Sequence, residues 1–92
     1  MRALSADLPG SDLVSVGLHD LRDGAETVEA LLVSIGAPRL RTLGLEVPTT
    51  IAEPEHRLYR MLAADDPDAA HGRYNALVRR LVSFERAAAC VV

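Results

Sequence analysis

Two short patterns could do chemistry. The stretch EPEHRLYRMLAADDPDAAH, from Glu53 to His71, contains an acid-x-x-His twice: Glu53 with His56, and Asp68 with His71. A carboxylate and an imidazole one helical turn apart can ligate a transition metal. A di-iron carboxylate centre needs Glu-x-x-His on two helices and a further Glu on each of two others, all projecting from helix middles. Here both pairs fall where helices start. Glu53 immediately precedes Pro54, and Asp68 follows Asp66-Pro67. Acids belong at such positions without a metal, because they accept from free N–H groups and complement the helix dipole. His19, Asp20 and Asp23 could add ligands, but no spacing singles them out. The expectation is helix punctuation, exposed histidines and no cofactor. A helical metal-binding protein using Glu53, His56, Asp68 and His71 stands as one alternative.

The second pattern is VEALLVSIGAPRLRTLGL, residues 28–45. It has the outline of a helix-turn-helix, with Gly36 in the turn and Arg39 and Arg41 on the second helix. That helix would enter the major groove and present its early residues to bases. Against this, Leu32 is bulky where close helix approach favours Ala. Gly44 cuts the second helix short, and Glu29 and Glu46 balance the two arginines. A dimeric DNA-binding protein contacting DNA through Arg39 and Arg41 is therefore the other alternative. No GxSxG, Gly-rich phosphate loop or Cys/His signature is present, so no enzymatic motif is read.

These residues must be positioned by a small scaffold. The chain has 92 residues, which implies a single domain. Its net charge is −3 and neither half is a basic block, so no general grip on nucleic-acid backbone is expected. All ten cations are Arg. The single cysteine, Cys90, cannot form an internal disulfide. A cytoplasmic protein is expected, since MRALSADLPG lacks an apolar run of signal-peptide length and no segment is long enough to span a membrane.

The apolar residues read as helices throughout. Residues 1–10 look like a flexible arm ending at Pro9-Gly10. Ser11 would cap a first helix over about 12–22, stopped by Gly24, with Gly17 on the inward face beside Val14, Leu18 and Leu21. Thr27 opens a second helix, in which Val28, Leu31, Leu32 and Ile35 share a face. Gly36-Ala37-Pro38 breaks it, and Pro38 starts a short third helix ending at Gly44. Residues 45–53, β-branched and holding a proline, form an extended crossing segment. Pro54 begins another helix, and Asp66 with Pro67 begins the last.

That last helix carries the clearest pattern. Ala70, Tyr74, Leu77, Leu81, Phe84, Ala88 and Val91 step by 4, 3, 4, 3, 4, 3, a heptad seam over three heptads. The expected fold is an all-α bundle of four to five helices, with this long C-terminal amphipathic helix as its spine. The expected function is a small non-enzymatic interaction or regulatory protein. It would form a homodimer through Tyr74, Leu77, Leu81, Phe84, Ala88 and Val91.

Overall fold

The computed structural model describes residues 7–91, and the side chains of residues 7–90. The described chain is all helical: α1 Ser11–Arg22, α2 Val28–Thr42, α3 Pro54–Asp65 and α4 Ala70–Val91. No strand occurs among the described residues.

The helix ends follow local chemistry, with two corrections. The residue before α1 is Gly10 in the left-handed region (φ 76°), so Gly10 takes the N-cap position; Ser11 is already helical and buried. Only a residue without Cβ suits that turn, because the Arg80 carbonyl and Phe84 of α4 lie against it. Residues 8–10 are thus not a free arm: Leu8 packs on the core, and the Ser11 amide donates to the Leu8 carbonyl at 3.2 Å. Residues 1–6 of the expected arm lie outside the described residues. Thr27 caps α2 as expected, its hydroxyl oxygen accepting from the Ala30 amide at 3.1 Å.

The larger correction concerns α2. It does not break at Gly36-Ala37-Pro38 but runs unbroken through Pro38 to Thr42. Pro38 has no N–H for the Ser34 carbonyl, which costs a helix about 3 kcal/mol. Burial on both sides of the proline offsets this: Leu31, Leu32 and Val33 precede it, Leu40 and Leu43 follow it, and all five join one core. Gly36 is no break either. It is a close-packing point for α4, whose Leu81 lies where a Cβ would be, at 2.9 Å. There is accordingly no separate third helix over 38–44 and no turn inside residues 28–42.

Helix α2 is also the centre of the molecule, a place the sequence pattern assigned to α4. Its buried residues are Ala30, Leu31, Leu32, Val33, Ser34, Gly36, Ala37 and Leu40, which point in every direction around the helix. An apolar helix without a polar face must be covered on all sides. Helices α1, α3 and α4 each pack on α2, whereas α1 and α3 make no helix–helix contact among the described residues. Gly17 is where α1 meets α2, and a Cβ there would collide with the Glu29 carbonyl and the Val33 side chain.

The extended segment 45–53 crosses back along the molecule. The Ile51 amide donates to the Ser34 hydroxyl oxygen at 3.2 Å, and Ser34 in turn donates to the Ala30 carbonyl at 2.9 Å. Pro54 then starts α3, and Leu58 and Leu62 are its buried residues. Between α3 and α4, the Asp66 carboxylate accepts from the Asp68 and Ala69 amides at 3.1 and 3.3 Å. Asp66 therefore caps the turn that feeds α4, although regular helix begins only at Ala70.

Candidate functional site

The expected self-association seam is largely internal. Leu81, Phe84 and Ala88 are buried in the chain's own core against α1 and α2. They cannot meet a second copy without the fold opening, because each is already covered. Tyr74 and Leu77 are half-buried, and Tyr74 packs on Tyr59 of α3 with ring centroids 5.9 Å apart. The side chain of Val91 lies outside those described.

The two acid-x-x-His pairs are not brought together. Glu53 and His56 stand at the start of α3, while Asp68 lies in the turn before α4, rather than in the expected helix, and His71 in the first turn of α4, just beyond α3's far end. About 14 Å of helix separates His56 from Asp65. Among the described residues no group of three His, Cys, Asp or Glu could hold a metal ion. Glu53 occupies the N-cap position of α3, but in the left-handed region (φ 51°) and without a capping bond. His71 is exposed, its Nε2 3.1 Å from Asn75 Nδ2.

Arg39 and Arg41 both sit in the last turn of α2, not at the start of a recognition helix. Arg41 is engaged in holding the crossing segment, donating to the Val47 and Pro48 carbonyls at 3.3 and 3.1 Å. Arg39 faces Glu85 of α4. Burial pushes the Glu85 carboxyl above its usual range, and the Arg39 charge partly opposes this. Tyr74 is likewise pushed up, by burial first and by the Glu55 carboxylate second.

The structure does assemble a face that no single segment announces. A groove of about 490 Å³ lies between the start of α2 and the middle of α4, lined by Val28, Glu29, Arg73, Ala76, Leu77 and Arg80. Val28, Ala76 and Leu77 make its apolar floor. Arg73 and Arg80 are seven residues apart on α4, so they flank Leu77 on one side of the helix. Each is fixed by a different helix. Arg73 donates to Asp65 of α3 at 2.8 Å, and Arg80 donates to both carboxylate oxygens of Asp12 of α1 at 3.1 and 3.3 Å. Exposed ion pairs like these contribute little to stability, about 0–1 kcal/mol each, but they orient the guanidinium groups.

Helix α1 extends this face. Asp12, Val16 and Asp20 fall at four-residue steps along one stripe. Asp12 holds Arg80, and Asp20 accepts from the Thr27 hydroxyl at 2.6 Å, beside Val28. Val16 stands between these two anchors. At 46% it is the most exposed large hydrophobic side chain among the described residues. An aliphatic residue in water thus stands on α1 between two acids that reach Arg80 of α4 and Thr27 at the start of α2.

No family model, curated protein or solved structure matches this chain. The groove is accordingly read from its own chemistry. It holds no paired nucleophile and base, and its lining is half aliphatic (Val28, Ala76, Leu77) and half charged (Glu29, Arg73, Arg80). Apolar groups beside charged ones are also the make-up of protein interfaces. Two spacings carried the signal in the sequence: Arg73-x6-Arg80 around Leu77, and Asp12-x3-Val16-x3-Asp20. Neither is meaningful until α1, α2 and α4 are set side by side.

Proposed function

We propose that this chain is a small cytoplasmic, non-enzymatic interaction or regulatory protein, a helical bundle that works as a homodimer and self-associates through α4. The observation that carries this reading is the groove, in which apolar Val28, Ala76 and Leu77 lie beside charged Glu29, Arg73 and Arg80, with exposed Val16 on α1. Protein interfaces have this anatomy, with an apolar centre and a polar rim. On α4 the contributing seam position is Leu77, since Leu81, Phe84 and Ala88 are occupied by the core and Tyr74 packs on Tyr59 of α3. No described helix is long and apolar enough to cross a membrane.

Native mass spectrometry of untagged protein over a concentration series tests this reading. A metal-free dimer whose fraction rises with concentration is the expected result. A monomer at every concentration would overturn self-association, and a stoichiometrically metal-loaded species would overturn the non-metal reading of the acid-His pairs.

A further inference from the structure

Within the groove, the charges are left partly unmatched. Glu29 is half-buried in the first turn of α2, and its carboxylate has no ion-pair or hydrogen-bond partner among the described residues. Arg73 and Arg80 each bond through one terminal nitrogen only, Nη1 to Asp65 and Nη2 to Asp12. A guanidinium has five N–H donors in a fixed fork, so each has donors in hand. Their side chains are about half exposed, at 45% and 50%.

From this we infer that the groove is an isologous dimer face, in which Glu29 of each copy pairs with Arg73 and Arg80 of the other across a two-fold axis. This rests on the reading above that the protein self-associates, and it names the surface and the pairing. The argument is charge complementarity. A uniformly acidic partner would meet Glu29, Asp12 and Asp65, and a uniformly basic one would meet Arg73 and Arg80. A second copy meets neither conflict when the two-fold axis passes between Glu29 and the two arginines, because each acid then faces the other copy's bases and every complementary contact is made twice. The apolar floor supplies the matching centre. Leu77 and Val28 of one copy face those of the other, and Val16 at the border loses its water contact on both sides. Like charges set against each other in such an interface are strongly disfavoured, so the pairing also fixes the register.

Sedimentation of three proteins decides the matter: wild type, Glu29→Arg, and the double variant Arg73→Glu with Arg80→Glu. Each is first checked by circular dichroism for native helicity. Glu29→Arg leaves only bases at the three pairing positions 29, 73 and 80, and the double variant leaves only acids there. Each alone is expected to dissociate on the order of 10–100-fold more readily than wild type. Mixed in equal amounts, the two are expected to recover a dimer, because every contact across the axis becomes complementary again. Val16→Glu, at an exposed position the fold tolerates, should also weaken the dimer and serves if a charge variant does not fold.

A wild-type dimer unaffected by Glu29→Arg and Val16→Glu would overturn this face while leaving self-association standing. Loss in both charge variants without recovery on mixing would overturn the Glu29–arginine pairing. A wild-type monomer up to about 100 µM, a range that covers weak dimers, would overturn the self-association reading and this face with it.

Discussion

Helices α2 and α4 solve the burial problem in opposite ways. Helix α4 has one inward line, Ala70, Leu81, Phe84 and Ala88, and its arginines point away from it. Helix α2 buries three consecutive residues, Leu31, Leu32 and Val33, to 0% exposure. Consecutive helical residues point about 100° apart, so these three reach into different sides of the core. The regular seam on α4 marks a helix with one covered side. The irregular apolar run on α2 marks the helix that the others cover. A clean stripe is thus a sign of the periphery, and its absence in an apolar helix is a sign of the centre.

Alanine substitution along both helices sharpens this contrast most. Leu31→Ala and Leu32→Ala are each expected to cost about 2–5 kcal/mol despite facing different neighbours. On α4, Leu81→Ala should cost a similar amount, while exposed Arg79 and Ser83 should change stability by no more than about 0.5 kcal/mol. Denaturant unfolding measures all five. If either α2 leucine proved as tolerant as Arg79, α2 would not be the centre.

Two glycines probe the same difference with opposite signs. A Cβ at Gly17, on the α1 surface that meets α2, would strike the Glu29 backbone and Val33. Gly17→Ala is expected to destabilise by about 1–3 kcal/mol. Gly72, in the first turn of α4, has nothing within 4 Å of the same position. Gly72→Ala should therefore stabilise, by up to about 1 kcal/mol from helix propensity. Thermal melts of the pair would blur the comparison if both moved in the same direction.

The smallest effect lies where the two helices cross. Glu85 of α4 reaches the space beside Gly36 of α2, and burial raises its carboxyl above 4.5. A carboxyl raised on folding binds its proton more tightly in the native state. Its contribution is then fully present below the unfolded value and is lost as pH rises through the folded one. Glu85→Gln keeps a neutral side chain at every pH. It should raise the melting temperature slightly near pH 7 and leave it unchanged near pH 3. A gain of equal size at both would locate the effect in packing rather than in the charge.

The all-helical class, the four final helices in outline and much of the core were legible in the sequence. Thr27 and Pro54 mark helix starts because their effect is local: a hydroxyl meets an amide three residues on, and a proline ring fixes φ. Leu81, Phe84 and Ala88 were legible as a buried line, but periodicity does not say what covers it. Here the cover comes from the same chain. Pro38 misleads because its cost is local and its compensation is not. The leucines on both sides of it anchor to helices elsewhere in the sequence. Ser11 misleads for a related reason: Gly10 takes the cap position because α4 crowds that turn. The groove was least legible, since its residues come from three helices and its two spacings mean nothing apart.

The position of α2 also bears on how the chain reaches this structure. Its packing pairs are mostly neighbours in sequence: α1 with α2, α2 with α3, and α3 with α4. Closing such pairs needs only short loops, the kind of local packing that goes with fast folding in helical domains. During synthesis, α1 and α2 can meet while α4 is still unmade. The nascent hairpin then carries bare apolar surface on the sides of α2 that α3 and α4 will later cover. The central helix is therefore the segment most exposed to misassociation before the chain is complete.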